Sequence, residues 1–255
     1  MHAALAAGLH ANPRFDLVGD GLIAVNLAPT QKRITPLYQA ISERQCTRGD
    51  YDGQPISSAE LRQLELAGTG DGVSLRLLTA RPAMESVLEY VVAGNTTQMN
   101  DPAFVAELTA WIRFGADEAL RTGDGLFAGA SGNPALPRWL GSRVMNLFFT
   151  PKSENERYTL QIRNSAGIAV FVSERSDKAH WVEAGRCYER FALQATALGI
   201  RNAFLNQPVE VGSIRPQFAA WLGLTSSQRP DLVVRFGRGP AMPLSMRRPV
   251  QAVIV

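Results

Sequence analysis

A chain of 255 residues that is 45% hydrophobic and 19% charged can form one large domain or two small ones, and is too apolar to be disordered. Its net charge of +3 is small for this length and no basic run forms a stripe, so we expect no nucleic-acid partner. No apolar run approaches the roughly 20 residues that span a bilayer. Two distant cysteines predict no disulfide framework, so we expect a cytoplasmic protein. Three histidines without paired spacing predict no metal site. Since no run is long enough to span a bilayer, we also expect no membrane partner.

The first third of the chain favours helices and strands in alternation. Residues 1–10 predict a helix, 20–28 a strand, and "PLYQAISERQ" a second helix. The segment "SSAELRQLELAG" predicts a third helix, because Ser57 or Ser58 can cap it, Glu60 lies near its third position and Gly68 can end it. The run "GVSLRLLTA" then predicts a strand.

The middle of the chain begins with two predicted helices. "PAMESVLEYVVAG" favours a helix that Gly94 stops, and "DPAFVAELTAWIRFG" favours one with Pro102 in its first turn. Residues 115–160 are rich in glycine, proline and asparagine. We expect a long loop or lid there, with a short helix around "RWLGSRVMNLFF".

The last third contains the clearest patterns. The apolar run 166–174 predicts a buried strand, and 178–200 predicts the longest helix, with Cys187 on its apolar face and Gly199 at its end. "RNAFLNQPVE" predicts a strand and a turn, "RPQFAAWLG" a helix, and both "DLVVRFGRG" and "PVQAVIV" strands. Mixed helices and strands without an internal repeat indicate an α+β fold.

One short segment concentrates polar chemistry. In "ISERQCTRGDYDG", Arg44 and Arg48 flank Cys46, and Arg247 and Arg248 precede the predicted final strand. Solvated helix-end arginines are one interpretation, whereas separate arginine clusters that meet on a phosphate are the other. The flanking arginines could also activate Cys46 as a nucleophile, although no histidine lies nearby in sequence to act as its base.

These residues carry a resemblance to a known family. "AISERQCTRGDYDGQPIS" resembles the opening motif of the nitroreductase family of flavin enzymes, and "SERSDKAHWVEAGRCYERFALQATALGIRNAFLNQPVEV" resembles its long central helix and following turn. The match is closer to the Acg-type branch, in which two nitroreductase-like halves share one chain. The resemblance implies a nitroreductase-like, mainly antiparallel sheet surrounded by helices. It also implies that residues 1–34 are a remnant of a first half and that 35–255 form an FMN-binding domain.

The resemblance further implies a cofactor and its contacts. Arg44 and Arg48 match positions that hold the FMN phosphate and ribityl chain, and Arg248 or its neighbour Arg247 matches a C-terminal phosphate contact. The remaining implied cofactor-binding residues lie between the two arginines (Gln45 and Cys46) or beside the reactive edge of the flavin ring (Pro208 and Glu210).

Two departures from the family pattern stand out. Cys46 replaces the usual serine or threonine, and no copy of the Asn-x-Gln-Pro-Trp motif that packs on the flavin is found. Since flavin sites of this family lie between two halves, we expect a homodimer in which the second chain completes the site.

The implied activity is hydride transfer from NAD(P)H by way of the flavin to a nitroaromatic, quinone or similar small-molecule acceptor. No side-chain acid or base is required, so no catalytic residue is predicted. Two alternatives stay open: a protein that binds or sequesters FMN with little turnover, and a vestigial fragment that needs a partner to fold.

Overall fold

The computed structural model describes residues 1–15, 21–245 and 248–254 of the chain. The strands are β1 (Leu9–Phe15), β2 (Ile23–Pro29), β3 (Val73–Leu78), β4 (Ile112–Arg113), β5 (Leu126–Phe127), β6 (Gly167–Ser173), β7 (Arg201–Phe204) and β8 (Arg229–Gly237). The helices are α1 (His2–Ala6), α2 (Pro36–Glu43), α3 (Ser58–Gly68), α4 (Arg81–Met99), α5 (Pro102–Trp111), α6 (Ala116–Thr122), α7 (Arg138–Phe148), α8 (Pro151–Arg163), α9 (Lys178–Ala197), α10 (Gln207–Glu210) and α11 (Arg215–Trp221). In the part of the chain so described, no helix is long and apolar enough to cross a membrane.

A four-stranded sheet forms the centre of the fold, in the order β3-β6-β8-β7, and every neighbouring pair is antiparallel. Every residue of β6 is buried, which confirms the prediction from its continuous apolar run. In the register of the sheet, Phe171 lies opposite Leu75 on one side and Leu232 on the other.

Helices cover both faces of this sheet because alternate side chains of β6 enter two separate cores. Ala169 and Phe171 enter the core that includes residues of α3 and α9. Ile168 and Val170 enter the opposite core, which includes residues of α4, α8, α10 and α11. The predicted α+β class with a mainly antiparallel sheet is therefore confirmed.

Helix α4 corrects one prediction, because it continues through Gly94 to Met99. The glycine does not stop the helix; it lets α10 approach. A Cβ atom at Gly94 would lie 2.7 Å from Cβ of Gln207 and 2.9 Å from its carbonyl carbon. Helix α8 also stabilises the turn of α4 after Gly94, since Asn95 Nδ2 donates to Oδ1 of Asn155 in α8 at 2.7 Å.

We expect Gly94→Ala to lower the free energy of unfolding by about 1–3 kcal/mol, because the new methyl group overlaps the backbone of α10. Gly185→Ala is the matched control in α9, since nothing lies within 4 Å of its added Cβ. The free energy of unfolding of that control should rise by about 0.5–1 kcal/mol, because alanine has a higher helix propensity than glycine. Urea denaturation of both variants measures the difference. Equal effects of the two substitutions would show that the close approach to α10 is unimportant.

The predicted helix over residues 1–10 is wrong beyond Ala6. Gly8 has a φ of +77°, a conformation that glycine adopts without strain, and there the chain turns into β1. Strand β1 pairs with β2 as an antiparallel hairpin that is separate from the central sheet.

The predicted long loop over residues 115–160 is also wrong, because α6, α7 and α8 occupy most of it. Its polar and glycine residues mark helix ends instead: Gly123 ends α6 with a φ of 63°, and Thr150 caps α8 through the backbone N–H of Ser153. The predicted short helix is confirmed as α7.

The final predicted strand is wrong as well, since Val250–Ala252 form a 3₁₀ turn after Pro249. The side chains of Val250, Val253 and Ile254 are exposed, so no burial favours a strand there.

Candidate functional site

The segment that carries Arg44 and Arg48 is fixed against the edge of the central sheet. Helix α2 ends at Glu43, and Arg44 takes an extended backbone conformation. Cys46 then forms a parallel bridge with Asn202 of β7, and the backbone N–H of Thr47 donates to the Asn202 carbonyl at 2.8 Å. The residues after α2 are therefore held as a short additional edge strand.

Gln45 ties this segment to the chain beyond β8. Its Nε2 donates to the Met242 carbonyl at 3.0 Å, and its Oε1 accepts from the Met242 backbone N–H at 3.0 Å. The amide is thus paired with backbone at both ends, so Gln45 positions the site even though it also lines the cavity beside it.

Arg235 supports the same segment from beneath, and the sequence analysis did not identify it. The side chain is 1% exposed, its guanidinium lies 4.2 Å from the ring centroid of Tyr51, and Nη2 donates to the Gly49 carbonyl at 2.8 Å. Tyr51 in turn donates to the Thr47 carbonyl at 2.9 Å. Burial lowers the pKa of Arg235. The available signal was an arginine within the apolar run "LVVRFG", where a charge is rare unless it is paired.

Arg44, Arg48 and Cys46 line one cavity of about 170 Å³, named here the arginine cavity. Arg48 Nη1 donates to Ser131 Oγ at 3.3 Å, and Arg44 Nε lies 3.4 Å from Glu189 Oε1. Two guanidinium groups and hydroxyl groups from Ser131 and Ser245 thus surround one space, which is a donor set suited to an anion.

A second cavity of about 210 Å³, the central cavity, adjoins the first and shares Arg48, Leu126 and Ser131 with it. On its wall, Gln207 Nε2 donates to Tyr158 Oη at 2.6 Å, and burial raises the pKa of Tyr158. Gln207 Oε1 is buried and has no donor among the residues that the structure describes. The wall of the central cavity therefore contains a residue with an unpaired acceptor.

The structure brings together some of the predicted site residues but not all. Arg44, Gln45, Cys46 and Arg48 share the arginine cavity, and Glu210 lines the central cavity, where its Oε2 accepts from Gln98 Nε2 at 3.0 Å. Of the other three, Pro208 is buried and lines neither cavity, and Arg248 lines a neighbouring cavity with Asp124. Arg247 is outside the residues that the structure describes.

Arg248 remains close to the site without reaching it. Its cavity, of about 230 Å³, shares Gly125, Phe127 and Ser245 with the arginine cavity. The pKa of Asp124 in that cavity is lowered, mainly by a hydrogen bond from Arg113 and in part by the charge of Arg248. Sequence reasoning also missed Ser131, Tyr158 and Gln207, because they reach the site only through folding of the region around α7, α8 and α10.

No family model matches the sequence. Two Mycobacterium tuberculosis proteins, one from strain CDC 1551 and one from strain H37Rv, are each provisionally named NAD(P)H nitroreductase and are each 23% identical to this chain over 236 residues. The match covers 89% of this chain, and the chain spans 64% of the length of each relative.

Solved structures share the fold. A nitroreductase with bound FMN from Desulfitobacterium hafniense DCB-2 superposes with a TM-score of 0.54 at 15% identity, over 88% of this chain and 98% of that one. An NADPH:FMN oxidoreductase from Vibrio harveyi, complexed with NAD⁺, superposes with a TM-score of 0.50 at 12% identity, over 87% and 76%. The fold of this chain is therefore the nitroreductase fold.

Proposed function

We propose that this chain binds FMN and is an FMN-dependent oxidoreductase that passes hydride from NAD(P)H to a nitroaromatic, quinone or similar small acceptor. The supporting observation is the convergence of Arg44 and Arg48 on one cavity that adjoins a second cavity lined by Glu210 and Gln207. The nitroreductase fold and the sequence similarity to a nitroreductase support the same function.

The residues present fit this cofactor at both ends. A phosphate carries up to two negative charges and several acceptor oxygens, which match the two guanidinium groups and the hydroxyl group of Ser131. Gln207 Oε1 is buried and has no donor among the described residues. A flavin ring carries an imide N–H, which is a donor of the kind that this oxygen needs. Leu108 and Leu126 add apolar surface to the central cavity.

Each group of residues has a separate task in this proposal. Arg44 and Arg48 hold the phosphate, and Cys46 lies between them. Gln207, held by Tyr158, orients the ring, and Glu210 lies beside its reactive edge. When bound, the flavin supplies the two-electron chemistry, accepting hydride from NAD(P)H and giving it to the acceptor. Pro208, buried in α10, fixes the backbone that carries Glu210.

Visible absorbance of the purified protein, before and after adding FMN and desalting, tests the proposal. We expect a retained flavin spectrum that bleaches within seconds when NADH or NADPH is added without oxygen. Bleaching by dithionite alone would favour the alternative, a protein that binds or sequesters FMN without turnover. A protein that retains no FMN would contradict both.

Protection of Cys46 from alkylation gives a second test that does not depend on activity. Burial raises the pKa of the Cys187 thiol to about 11, so roughly one thiol in a thousand is ionised at pH 8. Cys187 is also fully buried, whereas Cys46 is partly exposed in the arginine cavity. We expect iodoacetamide to label Cys46 at least tenfold faster than Cys187, and FMN to slow labelling of Cys46 alone. Mass spectrometry reads both sites, and labelling of Cys46 that FMN leaves unchanged would place the cofactor elsewhere.

The proposal extends to assembly and ancestry. Leu147 and Phe148 expose large apolar side chains at the end of α7, and adjoining exposed apolar side chains mark interaction surfaces. This supports a homodimer in which a second chain completes the flavin site. Sedimentation analysis at several protein concentrations tests the dimer.

We also propose that the chain belongs to the Acg-type branch, with residues 1–34 as the remnant of a first half and 35–255 as the FMN-binding domain. We propose a cytoplasmic location for it.

A further inference from the structure

Arg235 is a buried cation in the middle of β8, beneath the segment that carries Arg48. The residue is 1% exposed, and Ile168 of β6 and Ala203 of β7 lie opposite it in the register of the sheet. Arginine is almost never fully buried unless its charge is paired. The position of Arg235 at the centre of the sheet therefore calls for a counter-charge.

The partners of Arg235 are neutral in the part of the chain that the structure describes. Its Nη2 donates to the Gly49 carbonyl at 2.8 Å and to the Thr47 carbonyl at 3.5 Å, and its Nη1 is buried without an acceptor. None of the ion pairs between described residues includes it. A buried charge without a counter-charge destabilises a fold. Among these residues, the charge of Arg235 is thus held in place but not neutralised.

The arginine cavity and Arg235 lie on opposite sides of one extended segment. Cys46 and Arg48 line the cavity, whereas Thr47 between them is fully buried. Successive side chains of an extended segment point to opposite faces. Arg235 bonds the carbonyls of this segment from its buried face. An anion in the arginine cavity would therefore be separated from Arg235 by a single layer of backbone.

Residues that line the two cavities already influence Arg235 through their charges. Burial is the main cause that lowers its pKa, and the positive charge of Arg157, which lines the central cavity, lowers it further. Tyr51, Cys46 and Asp50 act on the pKa in the opposite direction. Charges inside a protein are screened little by salt. Because charges at Cys46 and Arg157 reach Arg235, the charge of an anion bound beside Cys46 would reach it as well.

We propose that Arg235 is the third cation of the arginine cavity, a positioning residue that holds the backbone around Arg48 and has the bound phosphate as its counter-ion. Arg235 thereby makes the site selective for a phosphate ester over a neutral compound of the same shape. This inference rests on the proposed function, since the anion is the phosphate of FMN. A phosphate that offsets the buried charge also stabilises the fold, so binding and stability are linked.

The selectivity is measured as the dissociation constant of riboflavin divided by that of FMN, both from flavin fluorescence quenching. Arg235→Gln is the main variant, because glutamine can still donate to the Gly49 carbonyl but carries no charge. Arg76→Gln is the matched control. Arg76 lies in β3 of the same sheet, donates to the Leu222 carbonyl and lines neither the arginine cavity nor the central cavity.

We expect Arg235→Gln to lower this ratio about tenfold or more, because a charge in a poorly screened interior acts strongly on the phosphate. Arg76→Gln should leave the ratio unchanged. A purely structural role of Arg235 would weaken both ligands equally and keep the ratio constant. An unchanged ratio in a folded Arg235→Gln protein would therefore overturn the inference while leaving FMN binding intact.

Arg235→Lys provides the second variant, since it keeps the charge and one donor. Its ratio should stay within about threefold of the unmodified value, because the charge that acts on the phosphate remains. Urea denaturation shows whether each variant is folded. If Arg235→Gln does not fold, the lysine variant decides, and a tenfold loss of selectivity in it would contradict the role of the charge.

Inorganic phosphate separates this inference from the proposed function. At equal ionic strength, phosphate in place of chloride should raise the midpoint of thermal unfolding of the unmodified protein and of Arg76→Gln. The rise should fall by at least about half in Arg235→Gln, because the buried charge that phosphate offsets is gone. This pattern in a protein that binds no flavin would support the anion site and contradict the proposed function. Equal rises in both variants would overturn the role of Arg235, and no rise together with no flavin binding would overturn both.

Discussion

Replacing both Arg44 and Arg48 by alanine is expected to raise the dissociation constant of FMN at least 100-fold. Each arginine lines the arginine cavity, and a hydrogen bond between charged groups contributes about 1.5–3 kcal/mol. Two such losses total at least about 3 kcal/mol, and each 1.4 kcal/mol is tenfold in affinity. Flavin fluorescence quenching on titration measures the constant.

The control for this variant is Arg62→Ala/Arg175→Ala, which removes the same charge from two exposed positions outside the cavity. It should bind FMN as the unmodified protein does. Riboflavin, which lacks the phosphate, adds a second comparison: its affinity should change little in the Arg44/Arg48 variant. An equal loss for riboflavin and FMN would mean that the arginines do not hold the phosphate.

The largest effect on stability is expected from Phe171→Ala. Phe171 is fully buried in β6, and its ring meets Phe191 edge-on with centroids 5.7 Å apart. Removing a buried phenyl ring costs about 3–5 kcal/mol, because apolar contacts are lost and the surrounding core closes only partly. That loss is a large part of the typical free energy of unfolding of a protein domain, which is about 5–15 kcal/mol.

Leu66→Ala in α3 is the control for this prediction, since Leu66 is 73% exposed. It should change the free energy of unfolding by no more than about 0.5 kcal/mol. Urea denaturation without added FMN measures both variants. If Phe171→Ala cost less than about 1 kcal/mol, the packing described for the core beside α9 would be wrong.

Signals carried by neighbouring residues predicted much of the fold. Helix α3 is predicted because Ser57 or Ser58 can cap it with Glu60 in its first turn, and the structure shows that Ser57 forms the capping box with Glu60. Strand β6 was predicted because its continuous apolar run is typical of a strand buried on both faces. Such signals need no knowledge of distant residues.

The errors arose where distant contacts decide the outcome. Gly94 is a stop signal by itself, yet α10 packs against it and the helix continues. The glycines and prolines after residue 115 predicted a loop, yet they end and begin short helices. Val250, Val253 and Ile254 predicted a strand, but their side chains are exposed and bury no surface that would favour one.

For the candidate site, the sequence by itself determined that Arg44, Cys46 and Arg48 lie together, because they follow one helix and are close in the chain. Only the tertiary structure decided that Arg235 supports them, that Gln207 and Tyr158 form the adjoining wall, and that Arg248 lines a neighbouring cavity. The physical reason is that a cavity is a gap between elements far apart in sequence, and its lining follows from how helices pack on the sheet.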